Sequence, residues 1–164
     1  MNSEKETENL KTELSFLRSQ VSPHFMFNVL NNMVALARKQ SDALEPSLIK
    51  LSSLLRYMLY ETDEEKVLVE REIEYLNNYI DLQKQRFGKN IRITTSFDER
   101  EKGYTIEPML LIPFVENAFK HGTGIITDAC IDIHLLVHNG KLVFTVRNRY
   151  NDHFRVIFVG KLFW

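Results

Sequence analysis

A single cysteine, Cys130, stands among 164 residues, so no internal disulfide is possible and a reducing compartment is compatible with the chain. No apolar run approaches the roughly 18 residues that a membrane helix needs. The N-terminus, MNSEKETENLK, is polar and acidic, unlike a signal peptide. Neither sign of charge dominates. A formal net charge of −1 gives no electrostatic case for nucleic acid, and no basic amphipathic helix suits a membrane surface. There is no internal repeat and no low-complexity tract. Glycine is the most informative scarcity: all six glycines fall at or after Gly88.

What is present is ordinary globular composition, 44% hydrophobic and 26% charged. The glycine shift divides the chain into an all-α part, 1–88, and an α+β part, 89–164. Three helices are expected in the first part. One runs from about Glu4 to Lys39, where Leu10, Leu14, Leu17 and Val21 step like a coiled-coil seam. A second begins at Pro46, with Leu48, Leu51, Leu55 and Met58 in the same rhythm. A third spans about Glu70 to Phe87, with Ile73, Leu76, Ile80 and Phe87 on one side and Gly88 as its cap. After Gly88 the period changes. IRITTSF alternates like a strand, and EPMLLIPFVENAFKHG reads as a helix ending at Gly122. ACIDIHLLV and KLVFTVRN flank Asn139-Gly140, a strong hairpin signal.

The stretch SQVSPHFMFNVLNN places Pro23 and His24 inside the first predicted helix. At 100° per residue, the face of Leu10 leads on to His24, Asn28, Asn31 and Ala35. Met26, Leu30, Met33 and Ala37 fall roughly opposite. The apolar stripe therefore moves around the helix at Pro23. Proline cannot donate to the Ser19 carbonyl, and a bend there is expected. Such a bend could present His24 to a partner. The plainer reading is a surface histidine beside a structural kink.

Several motifs then carry a resemblance. SPHFMFNVLNNM resembles the phosphoacceptor box of the LytS-type (YehU-type) sensor histidine kinases. LSSLLRYML and EIEYLNNYIDLQKQRFG resemble the two helical segments that follow in that family. PMLLIPFVENAFKHG resembles the asparagine box of Bergerat-fold ATP-binding domains. The four occur in the family's order and cover roughly residues 17–148.

The resemblance implies a helical hairpin for dimerisation and phosphotransfer, forming a four-helix bundle in the homodimer, followed by an incomplete α+β Bergerat-type ATP-binding domain. It implies His24 as the phosphorylated histidine. Neutral imidazole, with an ordinary pKa of about 6.5, suits a nucleophile near pH 7. Asn28, four residues on, would orient water for dephosphorylating a regulator, or be a helix-surface asparagine. Phe25 stands where commoner histidine kinases carry an acidic residue, so a base for His24 must come from elsewhere. Asn117 would supply a carbonyl oxygen to Mg²⁺. Glu116 would touch the metal's waters or serve as general base, or be a surface carboxylate. Lys120 and His121 match positions near the ATP phosphates, or else complement a helix C-terminus before a glycine. Asn148 takes the adenine-reading position. His134 and His138 share a strand face without a third zinc ligand.

After VRN the resemblance stops. The family continues into glycine-containing boxes, whose backbone N–H groups approach phosphates closely. Here the residues are RYNDHFRVIFVGKLFW. A truncated or frameshifted gene is expected to give this pattern. The functional expectation is a two-component sensor histidine kinase core, using ATP and Mg²⁺ and passing phosphate to a response regulator, with activity impaired in this chain. The resemblance places full-length relatives in the inner membrane through an upstream sensor, and this chain in the cytoplasm. The rival is a non-catalytic dimerisation and phosphoacceptor module with a degenerate ATP domain.

Overall fold

The computed structural model describes residues 2–20, 22–124, 126–150 and 153–163, with side chains described for 3–12, 22–124 and 126–149. Helix α1 (Asn2–Gln20) is separate from α2 (Pro23–Arg38). This corrects the single kinked helix expected from the sequence. Ser22 has extended backbone, as a residue before proline prefers, and its hydroxyl accepts a hydrogen bond from the Phe25 N–H at 3.3 Å. Pro23 then occupies the first helical turn, where its missing N–H costs nothing. The Ser-Pro pair starts a helix rather than bending one.

The buried face of α2 also differs from the expected stripe. Phe25, Val29 and Met33 point inward at a spacing of four. Met26 is half-buried, whereas Leu30 and Ala37 are exposed. Of the α1 seam, Leu10 is 58% exposed, and Val21 and the side chains of Leu14 and Leu17 lie outside the described residues.

Helix α3 (Leu44–Tyr60) packs on α4 (Val69–Phe87) through Leu51, Leu54, Tyr57 and Met58. Helix α4 buries Ile73, Leu76 and Ile80 as expected and ends at Gly88, whose φ of +56° suits glycine. Strand β1 (Val67–Leu68) pairs with β3 (Thr105–Ile106), a two-residue antiparallel bridge that leads into α4. Strand β2 (Arg92–Glu99) pairs in parallel with β4 (Cys130–His138), and helix α5 (Ile112–His121) lies between them in sequence. Strand β5 (Lys141–Tyr150) returns antiparallel to β4, and β6 (His153–Phe163) returns antiparallel to β5. The sheet order is β2-β4-β5-β6.

The Asn139-Gly140 turn has φ of 53° and 63° at its two residues, as a two-residue hairpin demands. Glu101 covers the turn. Its carboxylate accepts from both turn N–H groups and from the Tyr104 hydroxyl, which holds its pKa below the ordinary carboxylate value.

The α5 helix begins at Ile112, later than the motif suggested. A helix reaching further upstream would drive the Pro113 ring into the Met109 carbonyl. Helix α5 packs on β4 and β5, where Ile131, Ile133, Leu135, Leu142, Phe144 and Val146 are buried. These residues and the buried faces of α2, α3, α4 and α5 form one cluster. No helix among the described residues is long and apolar enough to cross a membrane.

Candidate active site

Four aromatic rings tie α2 to α5 across α4. Phe25 packs on Tyr79 with centroids 4.7 Å apart. Tyr79 meets the edge of Phe119 at 5.8 Å, and Phe119 stacks on Phe87 at 6.0 Å. Such pairs are worth about 0.5–1.5 kcal/mol each beyond their burial. Their position matters as much as their energy. Phe25 docks the first turn of α2, so its neighbour His24 is held at a fixed place. Phe119 docks α5, so its neighbour Lys120 is held likewise.

Beside this ladder lies a cleft of about 510 Å³. His24 and Ser22 line it from the start of α2, Gln83 and Arg86 from α4, and Glu116, Asn117 and Lys120 from α5. His24 is exposed, and the Asn28 side-chain nitrogen lies 3.1 Å from its Nδ1 and 3.4 Å from its Nε2. Asn117 and Lys120 are exposed, whereas Glu116 is half-buried. Burial pushes the Glu116 carboxyl above its ordinary pKa. Arg86 is half-buried, with its guanidinium 4.4 Å from the Phe87 ring centre, and burial draws its pKa down.

The structure thus brings four of the seven expected site residues into one cleft: His24, Glu116, Asn117 and Lys120. Asn28 stands behind His24, one turn along α2. His121 ends α5 and does not line the cleft. Asn148 does not line it either. It is buried on β5 opposite Ile131, and its amide nitrogen donates to the Arg149 carbonyl at 3.2 Å.

The cleft chemistry suits the phosphate end of a magnesium nucleotide. It offers two cations and an amide oxygen beside a histidine, and phosphate oxygens and water would complete the octahedron magnesium requires. Its adenine end is not furnished by Asn148. Sequence reasoning missed Phe25, Tyr79, Gln83 and Arg86. The i, i+4 spacing of Tyr79 and Gln83 was available, but nothing in the chain order announces that they face α5.

An exposed histidine on one helix thus lines the same cleft as the Asn–Lys face of another. The family model described as histidine kinase matches residues 12–91. The sensor histidine kinase YpdA of Escherichia coli K12 is 35% identical over 112 residues, which are 68% of this chain and 20% of that protein. The sensor histidine kinase BtsS of the same strain is 33% identical over 118 residues, 72% of this chain and 21% of its own. The sensor histidine kinase/phosphatase LytS of Staphylococcus aureus MRSA252 is 30% identical over 109 residues, 66% of this chain and 19% of that one. The chain belongs to the LytS-type family of sensor histidine kinases. It spans about a fifth of the length of these relatives.

Proposed function

We propose that the chain is the phosphoacceptor core of a two-component sensor histidine kinase, with His24 as the acceptor. One observation carries the reading: His24 and the Glu116–Asn117–Lys120 face of α5 line the same cleft. Acceptor and donor site then belong to one chain, and the phosphoryl group has a short path between them. Bound Mg-ATP supplies the phosphoryl group and the charge of the metal. Asn117 would hold the magnesium through its amide oxygen and Lys120 would neutralise phosphates, whereas His121 would have to turn in from the end of α5 to join it. Glu116 has two possible uses, contact with the metal's waters or a proton from His24, and its raised pKa favours the second. Asn148 reads adenine only if it leaves its bond to Arg149.

Residues 1–88 serve dimerisation and phosphotransfer in a homodimer with a four-helix bundle, and 89–164 form a partial Bergerat-type domain. His24 passes its phosphate to an aspartate on a response regulator. Asn28 orients water for the reverse, dephosphorylating reaction, an activity also named in the staphylococcal relative. The second reading is a dimerising phosphoacceptor module whose own ATP domain is degenerate. It is favoured by residues 149–164, which carry a single glycine where the family has glycine boxes.

The test is transfer from an intact family kinase domain supplied in trans. Wild type takes acid-labile, base-stable label and His24→Gln takes none. Equal labelling of both places the acceptor elsewhere. Transfer onward to a regulator receiver domain separates the relay from a dead-end acceptor.

A further inference from the structure

Arg86 has no place in the motifs, yet it faces the cleft. The charged groups lining that cleft are Arg86, Lys120 and Glu116, with His24 titratable beside them. Among the described residues Arg86 makes no ion pair; its guanidinium lies over the Phe87 ring, with the Tyr79 hydroxyl acting on it at longer range. A half-buried guanidinium without a carboxylate is a poor arrangement unless an anion is expected. One turn earlier on the same face, Gln83 is 2% exposed, and its Oε1 has no hydrogen-bond partner while its nitrogen donates to Tyr79 at 3.0 Å. That unpaired oxygen is a buried acceptor and offers an anion nothing, so Arg86 is the side chain of α4 that brings cationic donors to the cleft.

We propose that Arg86 is the phosphoryl-binding arginine of this cleft, holding the non-bridging oxygens of the group that His24 receives. This rests on the reading of His24 as acceptor. The planar fork of a guanidinium matches two phosphoryl oxygens at once, whereas an ammonium offers a point charge. Stacking on Phe87 holds the fork in place before the anion arrives, which is where electrostatic stabilisation gains most. In the transfer, a lone pair of the neutral His24 ring forms the new P–N bond. The bond from phosphorus to the leaving group breaks, and its electron pair departs with that group. The second ring nitrogen releases its proton, for which Glu116 on the same cleft is the proposed base. Arg86 neither gains nor loses a proton; it spreads the charge on the three equatorial oxygens.

Two measurements on the full chain test this. The first follows pyrophosphate binding through the backbone amide resonances of Phe119 and Thr123. Wild type shows saturable shifts, Arg86→Gln weakens binding by about tenfold or more, and Arg86→Lys recovers only part. Lys84→Gln, an exposed position on the same helix outside the cleft, binds as wild type. The second uses a small phosphoramidate as donor, with ammonia as the leaving group. The rate of His24 labelling falls by about tenfold or more in Arg86→Gln, at unchanged thermal midpoint. Equal pyrophosphate binding by wild type and Arg86→Gln overturns the proposal, whatever the labelling does. So does labelling of Arg86→Gln at the wild-type rate. If binding is lost in Arg86→Gln but label persists in His24→Gln, the acceptor assignment fails and Arg86 stands as an anion site.

Discussion

Glu72 on α4 accepts a hydrogen bond from the Leu110 N–H at 3.3 Å, across 38 residues of chain. Its carboxylate is wholly buried, and the Tyr57 hydroxyl is the side-chain group that interacts with it. The bond holds the turn before α5, where Met109 has a φ of 62° that methionine seldom adopts. One buried carboxylate therefore joins the Phe119 contacts in fixing the position of the helix that carries Asn117 and Lys120.

That position has a pH signature. Burial pushes the Glu72 pKa from 4.5 up to about 7, against the opposing pull of the Leu110 and Met109 N–H groups. The folded state holds this proton more tightly than the unfolded chain. The stability it contributes is fully present below about pH 4.5 and is lost as pH rises through about 7. Glu72→Gln keeps an acceptor for Leu110 and carries no charge. It is expected to be more stable than wild type at pH 8, by on the order of 1–3 kcal/mol, with little difference at pH 4.5. Urea denaturation of both proteins at the two pH values measures this. An equal gap at both would assign the effect to packing instead.

Gly122 is a second fixed point. A Cβ placed there would lie 2.5 Å from the Ala118 carbonyl oxygen and 2.9 Å from Asn148 Cβ. Its φ is −92°, so the requirement is close approach and not left-handed backbone. Gly122→Ala is expected to cost about 1–3 kcal/mol, typical of overpacking at a rigid contact. Because the nearest atom is backbone, Asn148→Ala should not relieve it. Thermal denaturation of the single and double variants decides the matter.

Local patterns were readable where local chemistry decides structure. The hairpin at Asn139-Gly140 and the α4 stripe of Ile73, Leu76 and Ile80 follow from spacing, whereas the motifs holding His24 and Asn117 stood out only by family resemblance. What was not readable depends on contacts between distant segments. Ser-Pro fits either a kink or a helix start, and here the Ser22 cap and the docking of Phe25 on Tyr79 go with the start. That same docking rotates α2 by one position, burying Val29 and exposing Leu30. The sequence does not single out Arg86 or Glu72, because nothing near them in the chain says that α5 returns across α4. The two-residue pairing of β1 with β3 is too short for any periodic signal.

The rotation of α2 changes where a dimer should form. Leu51, Leu54 and Met58 are occupied within the chain. Phe27, Leu30 and Val34 on α2, and Leu48 and Leu59 on α3, remain exposed. An apolar groove on α3 is lined by Leu48, Leu51, Leu55 and Leu59. The homodimer proposed above should bury these outer faces. Leu48→Lys with Leu59→Lys is expected to weaken dimerisation by about a hundredfold, or about 2.8 kcal/mol, while leaving the fold intact. Sedimentation at tens of micromolar checks it. A wild-type monomer under those conditions would remove the bundle, and an unaffected double variant would move the interface elsewhere.

The last expectation concerns ATP itself. In this 164-residue chain the nucleotide would meet Asn117 and Lys120 from one helix, and Arg86 from another. Asn117 and Lys120 are exposed, and exposed charge pairs contribute only about 0–1 kcal/mol each. Arg86 adds a better contact at the same end. The adenine end receives nothing comparable, since the Asn148 side chain is committed to Arg149. Beyond it, β6 pairs antiparallel with β5 from Tyr150↔His153 to Lys141↔Phe163. A triphosphate needs converging backbone donors and a closed wall against solvent to be held firmly. The expected affinity for Mg-ATP is therefore no tighter than about 1 mM, equivalent to about −4 kcal/mol. Self-labelling by the purified chain should be negligible, whereas His24 is expected to accept label from a donor in trans. Calorimetry with Mg-ATP is the direct measurement. A micromolar dissociation constant would mean that β6 and its surroundings supply the adenine wall, and Asn148 would then have to exchange its bond to Arg149 for one to the base.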